Sequence, residues 1–210
     1  MAAILGVGGK GDFNALTTRH TLRQTIVQLS LSYRLLLQDR DRMVTQSDIV
    51  RFLFKCSDDS IAQILDTSIL DLGLARNSGD GFVLVVEHSW SCLKAVEFMA
   101  ENQLHAVAVV HNTVLIGTLS LSDLRHMQLP FLIPDLTVGG FLRCSHHVGS
   151  LDQLPQNVVC NRRETLRAIL QKILKSRVHR IWVVESSGSG WNPISVITLT
   201  DILALISERT

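Results

Sequence analysis

Two polar clusters in the last third of this 210-residue chain carry side chains suited to one ligand. His179-Arg180 sits before a β-branched and aromatic run at 181–184. Thr198-Leu199-Thr200-Asp201 closes a second apolar run at 194–198, after a loop expected at 188–193. An arginine ahead of a strand can offer paired donors to phosphate oxygens, and a neighbouring histidine adds another. A carboxylate at a helix start can accept both hydroxyl protons of a ribose cis-diol, with adjacent hydroxyls as donors. The same residues also read as a helix cap: a hydroxyl N-cap with an acidic first turn stabilises a helix by about 1 kcal/mol. The two readings are compatible.

The second cluster recurs. Thr45-Gln-Ser-Asp48-Ile, Ser120-Leu-Ser-Asp123-Leu and Thr198-Leu-Thr-Asp201-Ile share the pattern [ST]-x-[ST]-D-[IL], 75 and 78 residues apart. Each follows apolar residues and opens a helical apolar pattern. Upstream of each lies a short strand at 34–37, 106–110 or 181–184, and before that an amphipathic helix. The helical stripes are Leu22, Ile26, Leu29; then Leu93, Val96, Met99, Ala100; then Leu166, Ile169, Leu170, Ile173, Leu174. The second and third units also open with extended segments at 82–86 and 157–160. Lining up the strand starts sets Tyr33-Arg34, His105-Ala106 and His179-Arg180 against one another. The connector at 55–81 carries a short helix at 60–65 and a Ser-Ile-Leu-Asp-Leu-Gly segment. Units this small must stack to bury a core.

Composition narrows the classes. The chain is 46% apolar and 19% charged, hence globular, and its net charge of +1 gives no general attraction to nucleic acid. Cys56, Cys92, Cys144 and Cys160 have no disulfide or zinc spacing and read as reduced thiols. Residues 1–9 lack a signal-peptide core, and no uncharged apolar run approaches ~18 residues, so a soluble cytoplasmic or nuclear protein without membrane contact is expected. The glycine-rich stretch at 6–11 fails the phosphate-loop spacing and reads as a flexible N-terminus. Adjacent His146 and His147, with Cys144 and Cys160, do not make a metal site. No G-x-S-x-G or argued Cys–His pair supports nucleophilic catalysis, so neither catalytic nor metal-ligating residues are assigned.

A β-α-β-β-α unit ending in [ST]-x-x-D and a helix, with the motif in three registered copies and the leading strand read only in the second and third, resembles the CBS domain, which works as a tandem pair (a Bateman module). RVHRIWVV at 177–184 with VITLTDILALI at 196–206 resembles the last repeat of the γ regulatory subunit of AMP-activated/sucrose-nonfermenting-type protein kinases. Residues 136–142 are similar to that family's linker into its last repeat. Residues 33–37 with 43–53 are similar to its second. The resemblance spans roughly 18–207, without a counterpart of the family's first repeat.

The resemblance implies an α+β fold of tandem CBS repeats. A pseudo-twofold pair is expected from 82–127 and 157–207, preceded by a partial CBS unit at 18–56 that lacks its leading strand. The segments are a flexible 1–17, a CBS unit at 18–56, a connector at 57–81, a CBS unit at 82–127, a linker at 128–156 and a CBS unit at 157–210. It also implies a non-catalytic module binding AMP, ADP or ATP as a regulatory ligand, with kinase α and β subunits as partners. CBS pairs in the families it resembles often dimerise, so self-association is a further expectation. Asp201 with Thr198 and Thr200, and Asp123 with Ser120 and Ser122, are the implied ribose contacts. His179 and Arg180 are the implied phosphate ligands, while His105 beside Ala106 supplies half of that pair. Val158, Val178 and Val196 would wall the adenine. Asp48, Thr45 and Arg34 rank below these because their partner repeat is absent. Two other readings are a ligand-free CBS scaffold, kept open by Ala106, and an enzyme regulated by CBS repeats, for which the chain leaves no separate catalytic domain.

Overall fold

The structure is a computed structural model and describes residues 15–56, 58–75, 83–125, 135–188 and 190–209. The 6–11 stretch lies outside the described residues. The first repeat is β1 (Ala15–Leu16), α1 (Leu22–Leu31), β2 (Arg34–Leu37), β3 (Arg42–Thr45) and α2 (Gln46–Lys55), followed by α3 (Asp59–Leu65). The second is β4 (Val85–Glu87), α4 (Cys92–Glu101), β5 (Ala106–His111), β6 (Val114–Ser120) and α5 (Leu121–Arg125), followed by α6 (Val138–His146). The third is β7 (Val159–Cys160), α7 (Leu166–Ser176), β8 (Arg180–Ser187), β9 (Gly190–Thr198) and α8 (Leu199–Arg209). Each repeat builds a three-stranded sheet in sequential order, its leading strand parallel to the middle one.

The first repeat is therefore complete. Its leading strand exists as two residues, Ala15 opposite Leu36 and Leu16 opposite Leu37. A ladder that short shows no alternation in sequence, which is why the unit looked truncated and its start was expected at 18. The loop expected at 188–193 is mostly strand, because β9 starts at Gly190 and runs through Pro193. The α4 stripe also differs. Cys92, Ala95 and Met99 are buried, whereas Leu93 is 45% exposed. The face turned inward is the one that carries Cys92, Ala95 and Met99, and Leu93 falls on the opposite side. The α7 stripe holds, with Leu166, Ile169, Leu170 and Ile173 buried, whereas on α1 only Ile26 and Leu29 are buried and Leu22, at the first turn, is exposed.

The chain divides into two compact units: one from Met1–Asp80, Val158–Val183 and Ser195–Thr210, the other from Gly81–Asn157 and Val184–Ile194. In the first unit, α1 packs along α8, and α2 packs against α7 and α8. The first repeat's partner there is the helical part of the third. Five residues of α8 (Leu199, Ile202, Leu203, Leu205 and Ile206) are buried, each fully buried side chain contributing on the order of 1.5–3 kcal/mol. The connector is stitched to the third repeat by backbone bonds from Ile69 N–H to Glu164 O (3.0 Å), Leu70 N–H to Arg162 O (3.1 Å) and Leu166 N–H to Thr67 O (3.0 Å). Arg167 caps this seam with a two-pronged contact to Asp66, Nε–Oδ1 2.5 Å and Nη2–Oδ2 3.0 Å. That hydrogen-bonded guanidinium holds the Asp66 carboxyl below its usual range.

One polar side chain is built into the helical packing. Gln46 is 7% exposed, and its Nε2 donates to Leu29 O at 2.7 Å and to Thr200 Oγ1 at 3.0 Å. Leu29 lies in the last turn of α1, where carbonyls have no partner within the helix. The amide thus joins α1, α2 and α8 at one point.

The second unit has its own core of Val86, Met99, Val107, Val109, Leu119 and Phe141 with smaller neighbours. The linker closes it much as the connector closes the first unit: Cys92 N–H bonds Leu136 O and Val138 N–H bonds Trp90 O, both at 2.8 Å. Residues 184–194 of the β8–β9 hairpin join this unit. At Gly190, with φ 148°, an added Cβ would meet Val114 Cγ1 at 2.7 Å, so that close approach requires glycine. The third repeat thus contributes its helices to one unit and its hairpin tip to the other.

Two outcomes are expected. Gln46→Leu leaves the Leu29 carbonyl and the Thr200 hydroxyl without their buried donor, and denaturant unfolding should report a loss of about 1–3 kcal/mol. Unchanged or raised stability would show that the amide is not holding the three helices. Among the thiols, burial pushes Cys92 up to about 11 and Cys160 up to about 12, while Cys144 is exposed. Because the thiolate is the reactive form, a disulfide reagent at mildly alkaline pH should label Cys144 rapidly in the native protein. Cys92 and Cys160 should react only after denaturant is added.

Candidate nucleotide site

The [ST]-x-[ST]-D segments adopt one geometry three times. The first hydroxyl donates to one carboxylate oxygen: Thr45 Oγ1 to Asp48 Oδ2 at 2.7 Å, Ser120 Oγ to Asp123 Oδ2 at 2.6 Å, and Thr198 Oγ1 to Asp201 Oδ2 at 2.7 Å. The same Oδ2 accepts the N–H of the hydroxyl residue at 3.0, 3.0 and 2.8 Å. The aspartate N–H returns a bond to the hydroxyl oxygen at 3.3 Å in all three copies. This is a capping box with aspartate at the third helical position, so the cap reading is satisfied in full. It occupies one carboxylate oxygen only. Among the described residues, Oδ1 of Asp201 makes no hydrogen bond, and the residue is exposed. Asp48 Oδ1 faces Arg51 at 3.5 Å, an exposed pair of little energetic weight.

The hairpins bring the two sequence clusters together. Arg34 pairs with Thr45 and Ala106 with Ser120 across β2–β3 and β5–β6. The backbone repeats the contact one residue on: Leu121 N–H bonds His105 O at 3.0 Å, and Leu199 N–H bonds His179 O at 3.2 Å. Strand starts and helix starts are therefore neighbours in every repeat, as the alignment of Tyr33-Arg34, His105-Ala106 and His179-Arg180 requires. In the third copy this sets an exposed His179 and a half-buried Arg180 beside Thr198 and Asp201. The second copy has exposed His105, buried Ala106, exposed Ser122 and half-buried Ser120 and Asp123. The first has exposed Arg34 and Asp48 with half-buried Thr45.

Val158, Val178 and Val196 are each half-buried around the third sheet, accessible enough to contact a ligand. Val158 accepts from Trp182 N–H at 3.4 Å, and Val178 N–H closes the end of α7 on Ile173 O at 3.2 Å. Thr200 has a second role, since its hydroxyl oxygen accepts from Gln46. The helix starts of the first and third repeats therefore meet, so the Asp48 motif has a partner repeat after all: the third. Spacing alone does not single out Gln46. Its signal is an amide at the motif position where the other two copies carry Leu121 and Leu199.

Comparison with known proteins agrees with this architecture. The CBS domain family model matches residues 82–129 and 149–208, just over half of the chain. Two Arabidopsis thaliana proteins are similar in sequence. SNF1-related protein kinase regulatory subunit gamma-like PV42a is 28% identical over 178 residues, covering 77% of this chain and 48% of that protein. PV42b, of the same description, is 24% identical over 193 residues, covering 78% and 50%. The chain thus spans about half the length of the curated relatives it matches. Among solved structures, a Methanocaldococcus jannaschii protein proposed as an archaeal homolog of g-AMPK superposes with TM-score 0.62 at 16% identity, over 93% of this chain and 67% of that one. The CBS domain of a bacterial CNNM/CorC family Mg2+ transporter, in complex with ATP, gives TM-score 0.52 at 15% identity, over 70% and 92%. Three repeats of one strand order, a common helix-start motif and the family match lead to one statement: this chain belongs to the CBS domain family and resembles the gamma-type regulatory subunits of SNF1-related kinases.

Proposed function

We propose that the chain is a non-catalytic regulatory module that binds adenine nucleotide, acting as a gamma-type subunit beside kinase α and β subunits. The observation that carries this is the third repeat's juxtaposition of His179-Arg180 with Thr198 and Asp201 through the Leu199–His179 backbone bond. Phosphate-binding and diol-binding chemistry then lie at one end of one sheet. The names of the Arabidopsis relatives and the ATP complex of the transporter domain support the same reading. In this mechanism the Asp201 oxygen not used by the cap receives the ribose hydroxyls. Val158, Val178 and Val196 contact the base, and His179 and Arg180 meet the phosphates. AMP, ADP and ATP compete there, and their different charges favour different packings of the repeats; any such shift requires different affinity for two states. The second copy, with Ala106 in place of the cation, binds more weakly. The repeated carboxylates occupy equivalent cap positions, which suits repeated binding rather than an acid/base pair.

Thermal-shift titration of the whole chain with AMP, ADP, ATP and GTP tests this. A nucleotide at 100 times its dissociation constant should add about 2.7 kcal/mol to stability. Arg180→Ala and Asp201→Asn should each abolish the main adenine-nucleotide shift, whereas His146→Ala, at an exposed position outside the site, should leave it. No shift with any nucleotide at millimolar concentration would instead identify a CBS scaffold that binds proteins without ligand.

A further inference from the structure

The far end of the second sheet from the Ser120–Asp123 motif holds another set of polar groups. Glu87 ends β4, His88 follows it, and His111 ends β5. Parallel pairing sets Glu87 opposite Val110, and His88 N–H bonds Val110 O at 3.0 Å. Both histidines and the carboxylate therefore gather at one strand end. One ligand atom from each, a carboxylate oxygen and two ring nitrogens, all lie within 4.8 Å of one another. The two imidazoles meet edge to face, with centroids 4.5 Å apart and planes at 74°. This cluster lies about 17 Å from the Ser120 end, from the five-residue rise along β5.

The surroundings hold these groups in place. The His88 backbone is held at both ends, its N–H on Val110 and its carbonyl accepting from Gly139 N–H at 2.8 Å. Gly139 gives the ring room, because a Cβ there would lie 3.1 Å from His88 Nδ1. Glu87 Oε1 accepts the Asn112 N–H at 3.1 Å, which leaves the other oxygen available. The Asn112 carboxamide also reaches His111 Nε2 at 3.4 Å, an outer contact of the kind that orients a ligating imidazole. Asn112 and Thr113 form a tight turn with φ values of 50° and 69°; the latter is costly for a β-branched residue. The register of β5 against β6 slips between Val109 and Val110, an irregularity of the kind that re-aims side chains near functional sites.

The geometry points to a binding site for a divalent metal ion of the zinc class, held by Glu87, His88 and His111 with solvent completing the coordination. Two imidazoles and one carboxylate suit zinc and its borderline neighbours better than magnesium or calcium, which prefer all-oxygen shells. Tetrahedral zinc with ligands at about 2.0–2.1 Å places ligand atoms about 3.3 Å apart. The trio needs to draw in by about 1.5 Å at most, and the exposed His111 has the freedom to supply it. The site is independent of the nucleotide reading.

The chelator-stripped full chain should be titrated with Co2+, followed optically, and with Zn2+ by equilibrium dialysis. One ion per chain is expected, with Co2+ developing the visible absorption of a low-coordinate histidine site that Zn2+ then removes. His111→Ala, at an exposed position, should weaken Zn2+ binding at least about tenfold, and Glu87→Gln should act in the same direction. His146→Ala should change nothing. Circular dichroism confirms that each variant is folded, and if His111→Ala is not, Glu87→Gln decides. Absence of Zn2+ binding at submillimolar concentration, or binding that both folded variants retain, overturns the assignment.

Discussion

Everything in these repeats is anchored on a hydroxyl and a carboxylate that exchange hydrogen bonds across one turn at a helix start. In each copy the aspartate oxygen accepts from both the hydroxyl and the backbone of the N-cap residue, which is also the last residue of a strand. One interaction therefore ends a sheet, begins a helix and sets the angle between them. The apolar helix faces inherit that angle. So do the side chains at the neighbouring strand start, held by the adjoining backbone bond in the second and third copies. The cap uses one carboxylate oxygen in each copy and does not engage the other.

The three copies then differ in what surrounds the same scaffold. The third carries Arg180 at its strand start, the second has Ala106 there, and the first pairs Arg34 with a motif whose inner residue is Gln46 rather than leucine. Repetition supplies the geometry, and single substitutions change what surrounds it from copy to copy. The first repeat and the helices of the third share a compact unit, where α1 and α2 meet α7 and α8.

Much of this is legible in the residues. The threefold motif, the strand-start alignment and the stripe of α7 follow from local spacing, which is what sequence periodicity records. The candidate ribose and phosphate residues were brought together because a hairpin of short loop makes strand start and helix start neighbours. What spacing does not carry is anything decided by contact between distant segments. The two-residue β1 is stabilised by its partner rather than by its own pattern. The outward position of Leu93 depends on which face of α4 meets the rest of the unit, and the stripe itself does not record that. Glu87, His88 and His111 share no spacing rule; only the parallel register of β4 and β5 gathers them. The division of the third repeat's contacts is likewise a tertiary fact, invisible in a pattern that repeats evenly.

Gln46 has a consequence for partner choice. A leucine at the corresponding position, as in the other two copies, is content with any apolar surface of suitable shape. A buried amide is selective, because it is stable only against a face that presents acceptors where its two N–H groups point. The third repeat meets that condition with Thr200, while Leu29 of the first repeat's own α1 meets the other half. In a protein built from near-copies of one module, where any repeat could pack on any other, this residue acts as an address. It makes one assembly of the repeats cheaper than its alternatives, and it would discourage a second molecule from replacing the third repeat with an unmatched surface.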